Sequence, residues 1–218
     1  MIDVVLIDKA VLSEMLCSAA RLMEEQSDQL SAIDAQFGDG DHGITIAKIA
    51  KLILARVSTW GDESIRDFLE GLGMATMEVR GGSAGPLYGT MIGGLGAEIT
   101  EAETALDAAG AQRMFAGCLV EMQDITNAQV GDKTMMDALI PAVAAAQAAG
   151  GDAACVFAAA ATAARAGAVA SEGFVSKFGR ARSYKEQSIG YPDAGALSTA
   201  LFIEGLSAGL SRSEQAQK

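Results

Sequence analysis

Cysteine, proline, aromatic residues and positive charge are all scarce in this chain, and each shortage closes off a class of protein. Three cysteines among 218 residues, Cys17, Cys118 and Cys155, are too scattered for a disulfide framework, and no C-x-x-C pair offers a thiolate zinc site. That usage fits a reducing compartment, so a cytoplasmic protein is expected. Aromatics at 5% and only 3 prolines speak against an all-β sandwich. Lys and Arg number 16 against 28 Asp and Glu, a net charge of −12. This excludes bare electrostatic binding to nucleic acid or anionic membranes. Long apolar runs are missing too. The most apolar stretch, Ala153 to Ala164, is interrupted by Arg165 and is too short to span a membrane. The opening MIDVVLIDKAVL lacks a basic leader and a small-residue cleavage site, so no signal peptide is expected.

What remains is rich in alanine and glycine, 50% apolar and 20% charged, which excludes intrinsic disorder. Helical periodicity runs almost throughout. From Val11 to Ile33, Leu12, Met15, Leu16, Ala19, Leu22, Met23, Leu30 and Ile33 mostly recur three or four apart, predicting one amphipathic helix. Ile44 to Val57 repeats the pattern. Ser64 to Asp67 has the form of a capping box opening a helix to about Val79, and Pro86 suits the first turn of a fourth. Further helices are predicted at 111–125, 134–149, 152–169 and 194–211. Strand alternation is confined to a weak start at Val4 to Ile7. With short glycine-bearing turns and no long linker, residues 1–218 read as one all-α domain of about eight antiparallel helices. The alanine-rich stretch from Ala153 to Ala170 reads as a helix packed closely through small side chains.

The most informative stretch is Ile33-Asp-Ala-Gln-Phe-Gly-Asp-Gly-Asp-His-Gly43, which sets Asp34, Asp39, Asp41 and His42 between two apolar helices. Two readings fit this spacing. Aspartate forms turns and caps helices, and Asp41 stands where the next helix begins. Alternatively, three carboxylates within eight residues suit a hard dication such as Mg²⁺, held together with substrate phosphates. The literal G-x-G-x-x-G from Gly38 to Gly43 is not a dinucleotide fingerprint, because a helix precedes it and two aspartates occupy the turn. An EF-hand beginning at Asp39 fails, with Ile44 and Ala50 at the positions that need Gly and Glu. No G-x-x-x-x-G-K-S/T occurs.

Three more loops precede helices. Arg80-Gly-Gly-Ser-Ala-Gly-Pro86 offers backbone N–H groups and the Ser83 hydroxyl to anionic oxygens, or is simply a tight turn. In Gly131-Asp-Lys-Thr-Met-Met-Asp137, Thr134 and Asp137 read as an N-cap and its partner, leaving Lys133 free to meet an anion. The longest irregular stretch, Gly179 to Gly195, carries Arg180, Arg182 and Asp193. In an up-and-down array, alternate loops share one end, so the four loops would form a single mouth for phosphate and metal.

Together these residues resemble the nucleotide-binding L subunit family of dihydroxyacetone kinases. The motifs D-x4-G-D-G-D-H-G, G-G-S-A-G-P-L-Y-G, G-D-K-T-M-M-D-A-L, G-R-A-R-S-Y and D-A-G-A occur in order and cover nearly the whole chain. The resemblance implies a closed barrel of eight antiparallel helices holding ATP or tightly bound ADP with two Mg²⁺. It implies that Asp34, Asp39 and Asp41 ligate the metals, and that these aspartates and Arg180 form the catalytic set. His42, Gly43 and Thr45 would meet the phosphates, with Ser83 and Ala84 in the phosphate loop. Thr126 and Met135 would lie near the nucleotide, Met135 against the adenine, and Asp193, Ala194 and Gly195 in the closing loop. Thr45 stands where an asparagine is common, Ala84 where a second hydroxyl is usual, and Asp-Ala-Gly for Asp-Pro-Gly. The implied activity is phosphoryl transfer to dihydroxyacetone or a related short ketose, active only with a ketose-binding subunit that holds its substrate on a histidine. In some members a phosphotransferase-system phosphocarrier recharges the ADP. A second reading, a regulatory or lipid-binding barrel that keeps the metal site, predicts no phosphoryl transfer.

Overall fold

The computed structural model describes residues 6–216, and the predicted strand start at Val4 and Val5 lies outside them. Nine α-helices are present among the described residues: α1 (Lys9–Glu25), α2 (Ser27–Asp34), α3 (His42–Ser58), α4 (Ile65–Met77), α5 (Ala84–Ala97), α6 (Ala108–Ile125), α7 (Met136–Ala148), α8 (Ala153–Ala170) and α9 (Ala194–Ala216). Short 3-10 turns follow α8 at Ser171–Gly173 and Arg180–Ser188. The only sheet among these residues is an antiparallel clip, β1 (Ile7–Asp8) on β2 (Ala105–Leu106). Five helices start where an N-cap side chain takes an orphan N–H: Asp8 from Val11, Ser64 from Asp67, Asp107 from Gly110, Asp152 from Cys155 and Asp193 from Ala196. Such caps contribute about 1 kcal/mol each.

Helices pack in a closed circuit, α1 on α3, then α4, α5, α6, α7, α8 and α9, with α9 returning to α1. Eight helices therefore form an all-α barrel, and α2 is an extra short segment across α3. The continuous helix expected from Val11 to Ile33 is broken at Gln26, whose N–H turns back to Leu22 O and Glu24 O. Apolar spacing runs straight through this break, so periodicity could not reveal it. The break lets α2 lie against the start of α3, where Gly43 sits so close that a Cβ there would be 1.8 Å from Ser27 O.

Buried apolar residues form one contiguous core from Ile7 to Leu210, including Phe68, Phe115, Phe157 and Phe202. Small residues set the helix spacing. At the α1–α9 seam, a Cβ on Gly205 would be 2.3 Å from Ala19 Cα, so the two backbones touch. Alanine and glycine thus replace large side chains at helix crossings, and the aromatics fill what space is left. The segments Ala153–Gly173 and Ala194–Ala216 are long and apolar enough to cross a membrane by length and composition. This differs from the expectation drawn from the run ending at Arg165, because α8 continues to Ala170. In the barrel, the Arg165 guanidinium pairs with Glu204 on α9 at 2.6 Å.

Candidate functional site: an acidic, glycine-bordered mouth

The loops between α2 and α3, α4 and α5, α6 and α7, and α8 and α9 all line one cleft of about 1120 Å³, open mouth included. Asp34 ends α2, Asp39 and Asp41 follow, and one oxygen from each lies within 4.8 Å of the others. Asp41 occupies the cap position of α3, but its carboxylate caps nothing; only its carbonyl accepts, from Thr45 N–H at 3.0 Å. Capping therefore does not account for this residue. Burial, then the charges of Asp39 and Asp34, push the Asp41 carboxyl above the usual range. An all-oxygen donor set of three carboxylates fits a hard dication.

Opposite lies the glycine loop. Gly81 and Gly82 adopt φ of 155° and 52°, a region that disfavours side chains. A Cβ on Gly81 would strike Thr45 Oγ1 at 1.8 Å, whereas Gly82 faces Asp41 Oδ1. Ser83 stands at the cap position of α5 with no cap bond from its hydroxyl, which leaves that hydroxyl and the first α5 N–H groups at the cleft. Met135, at the start of α7, adds an apolar wall with Ile33 and Leu87.

The G-D-K-T segment serves a different purpose from that expected. Asp137 does reach back to Thr134 N–H at 2.6 Å and also accepts from Gly131 N–H at 2.6 Å. Lys133, however, is not free for an anion. It is 4% exposed, and its ammonium donates to the carbonyls of Ser171, Phe174, Ser188 and Tyr191. Asp132 pairs with Lys177 at 2.5 Å. Both side chains hold the α8–α9 segment, Lys133 from within the cleft lining.

That segment forms the outer wall. Arg180 spans the mouth to Asp39, with Nη2 2.8 Å from Oδ2 and Nη1 3.2 Å from Oδ1. Phe37, beside the aspartates, packs between Tyr184 and Tyr191 at centroid distances of 5.0 and 5.1 Å. Asp193 caps α9 through Ala196 N–H at 2.7 Å. Enclosure of its carboxyl pushes it up to about 7, against the opposing pull of that N–H. The His42 ring meets Ser198 Oγ at 2.8 Å, which also accepts the Tyr88 hydroxyl at 2.8 Å. Burial lowers the His42 pKa, so the ring stands neutral as a brace between α3, α5 and α9.

Asp34, Asp39, Asp41, His42, Ser83, Ala84, Met135, Arg180, Asp193, Ala194 and Gly195 all line the cleft. Three expected positions do not. Thr45 is 1% exposed, with its hydroxyl on Asp41 O. Gly43 is spent on the α2–α3 crossing. Thr126 ends α6, with its hydroxyl accepting from Ala128 N–H. Sequence reasoning missed Phe37, Tyr88, Ser176 and Phe178, which also line it. The one available signal was scarcity: all 3 tyrosines lie at this end, lining the cleft or flanking Phe37.

Fold and cleft together define a closed helical barrel with an acid- and glycine-lined mouth. The chain belongs to the DAK2 domain family, which its residues 36–208 match. It is 31% identical over 198 residues to the ADP-binding subunit DhaL of a PEP-dependent dihydroxyacetone kinase from Listeria innocua, covering 88% of this chain and 90% of that one. It is 33% identical to the L-erythrulose 1-kinase of Mycolicibacterium smegmatis over 84% of this chain, but spans only 33% of that enzyme. The dihydroxyacetone kinase from C. freundii, solved with AMP-PNP and Mg²⁺, shares the fold at a TM-score of 0.70 and 23% identity. The match covers 95% of this chain and 35% of that one, so the chain spans about a third of the longer kinases.

Proposed function

We propose that this chain is the nucleotide-binding subunit of a two-component kinase that phosphorylates dihydroxyacetone or a related short ketose held by a partner subunit. The observation that carries the reading is the convergence of Asp34, Asp39 and Asp41 within 4.8 Å beside the Gly81–Ser83 turn, with the Asp41 carboxylate free of capping duty and Asp34 also accepting the His42 N–H at 3.4 Å. The relative from Listeria innocua is named an ADP-binding subunit, and the C. freundii kinase was solved with AMP-PNP and Mg²⁺. The three aspartates are the residues that would hold two Mg²⁺, which when bound supply the positive charge that lets a polyphosphate lie beside carboxylates.

The chain's own groups do the rest by positioning. Ser83 and the Ala84 N–H at the α5 N-terminus, both lining the cleft, steady phosphate oxygens, favoured by the helix dipole. Met135 offers an apolar face to the base. Arg180, whose side chain is 64% exposed, needs only to leave Asp39 to neutralise charge developing on the transferred phosphoryl group. His42 is the chain's sole histidine and is committed to Ser198, so covalent capture of the ketose falls to the partner. Under this reading the protein works in the cytoplasm, without nucleic acid or membrane. Its phosphoryl donor is exchanged ATP, or bound ADP recharged by a phosphotransferase-system carrier. The test is an assay with ATP, Mg²⁺ and dihydroxyacetone, run with and without a ketose-binding subunit. Product is expected only on mixing. Ketose phosphate formed by the isolated chain refutes the division of labour, and failure of Mg-ADP to raise the melting temperature refutes the nucleotide site.

A further inference from the structure

The buried ammonium of Lys133 is unusual in what it faces. A buried lysine is normally neutralised by a carboxylate, because an uncompensated charge away from water is costly. Here the carboxylates of Asp193, Glu172 and Asp137 favour its charge from nearby, but none takes a hydrogen bond from it. Four backbone carbonyls do: Ser171 at 2.9 Å, Phe174 at 3.2 Å, Ser188 at 2.8 Å and Tyr191 at 2.6 Å. Three N–H donors thus serve four acceptors drawn from both ends of one irregular segment. Lys133 itself takes a left-handed backbone, φ 60°, which a lysine rarely adopts. A ring of carbonyl oxygens around one positive charge is the chemistry by which proteins strip water from a monovalent cation.

We propose that Lys133 is a positioning residue that acts as a tethered monovalent cation, gathering residues 171–191 into the outer wall of the cleft, and that the space its side chain leaves on truncation accepts free K⁺ or NH₄⁺. Without a charge at that point, four carbonyl dipoles converge on nothing and repel. Their segment carries Ser176, Phe178 and Arg180 to the cleft, and Tyr184 and Tyr191 to Phe37. The Asp132–Lys177 pair ties the same segment at only one point, on the surface side, where the Lys177 side chain is 61% exposed. Lys133, at the inner lining of the cleft, therefore joins both ends of the wall from within, where the Ser176–Ser188, Asp193–Ser171 and Gly190–Glu172 hydrogen bonds each link single points. The importance of this wall for nucleotide affinity rests on the proposed nucleotide function; the cation chemistry does not.

The experiment uses Lys133→Ala and Lys133→Met in the full chain. Amide hydrogen exchange of 174–191 is followed without nucleotide, in tetramethylammonium, Na⁺, K⁺ and NH₄⁺ chlorides at equal ionic strength. In tetramethylammonium both variants are expected to exchange this segment at least 10-fold faster than wild type, with α1, α4 and α5 still protected. K⁺ or NH₄⁺ should restore protection to Lys133→Ala but not to Lys133→Met, whose apolar stem fills the space. Mg-ADP affinity should fall at least 10-fold in Lys133→Ala and recover with the same cations. Wild-type protection in both variants, or equal loss in every salt, overturns the proposal. So does loss of protection throughout the barrel in Lys133→Met, because that makes the lysine a general core staple. A wild-type chain that binds no Mg-ADP refutes the nucleotide reading and leaves the exchange result standing.

Discussion

Replacing Asp193 by asparagine should stabilise the protein at alkaline pH and do nothing at acid pH. The Asp193 carboxyl is enclosed at the cleft wall, and its pKa rises from 3.8 to about 7. A carboxyl raised in the fold favours the native state fully below the unfolded pKa, and that advantage is lost as pH climbs through the folded value. The whole gap corresponds to about 4 kcal/mol. Asp193 is half-buried as a residue and opens towards cleft water, which screens part of the charge, so a loss of about 1–3 kcal/mol between pH 4 and 8 is the working magnitude. Asparagine keeps an oxygen for the Ala196 N–H and never ionises. Thermal melts of wild type and Asp193→Asn, in EDTA and without nucleotide, should coincide near pH 4. They should separate from about pH 5 and differ by a constant few degrees above about pH 7.5, at about 2–4 °C per kcal/mol for a chain of this size. Comparing the two proteins at each pH cancels the titration of shared groups that do not interact with Asp193, leaving Asp193 together with its coupled neighbours Asp137 and Lys133. A difference independent of pH, or one that shrinks as pH rises, would refute the assignment of a buried, reluctant carboxylate.

Two other expectations follow from distances. Asp41→Asn should raise the melting temperature in EDTA, because it removes one of three carboxylates crowded within 4.8 Å, and should abolish stabilisation by Mg-ADP; a melt lowered in EDTA counts against the crowding. Gly43→Ala should destabilise by about 2 kcal/mol or more, since the new Cβ meets Ser27 O at 1.8 Å and backbone must move; a variant melting within 1 °C of wild type would show that α2 is loosely held.

The helices were readable because their signals are local. Apolar spacing and capping residues lie within a turn of the backbone they organise, and Ser64 does cap the helix that follows it. The aspartate cluster was readable for the same reason, with three ligand candidates inside eight residues. Lys133 was misread because its partners lie 38, 41, 55 and 58 residues away, and a loop lysine carries no local mark of being buried. The Tyr88–Ser198–His42 brace spans 110 and 156 residues and has no local signature either. Thr45 sits in the expected motif, but helix geometry turns its hydroxyl back to Asp41 O, away from the cleft. Motif membership placed the loops at the mouth; side-chain direction needed the fold.

The closed helix circuit also bears on how the protein assembles. Cleft-lining residues run from Ile33 to Gly195, and the loops that carry them meet only when α9 has docked on α1. Docking the last helix against the first is the longest loop closure the chain makes, and in a folding reaction it is entropically the most expensive step. An incomplete circuit has helices but no mouth. Ligand affinity should therefore appear late in refolding, after most helical signal, and a bound ligand should slow unfolding by resisting the first separation of α9 from its neighbours.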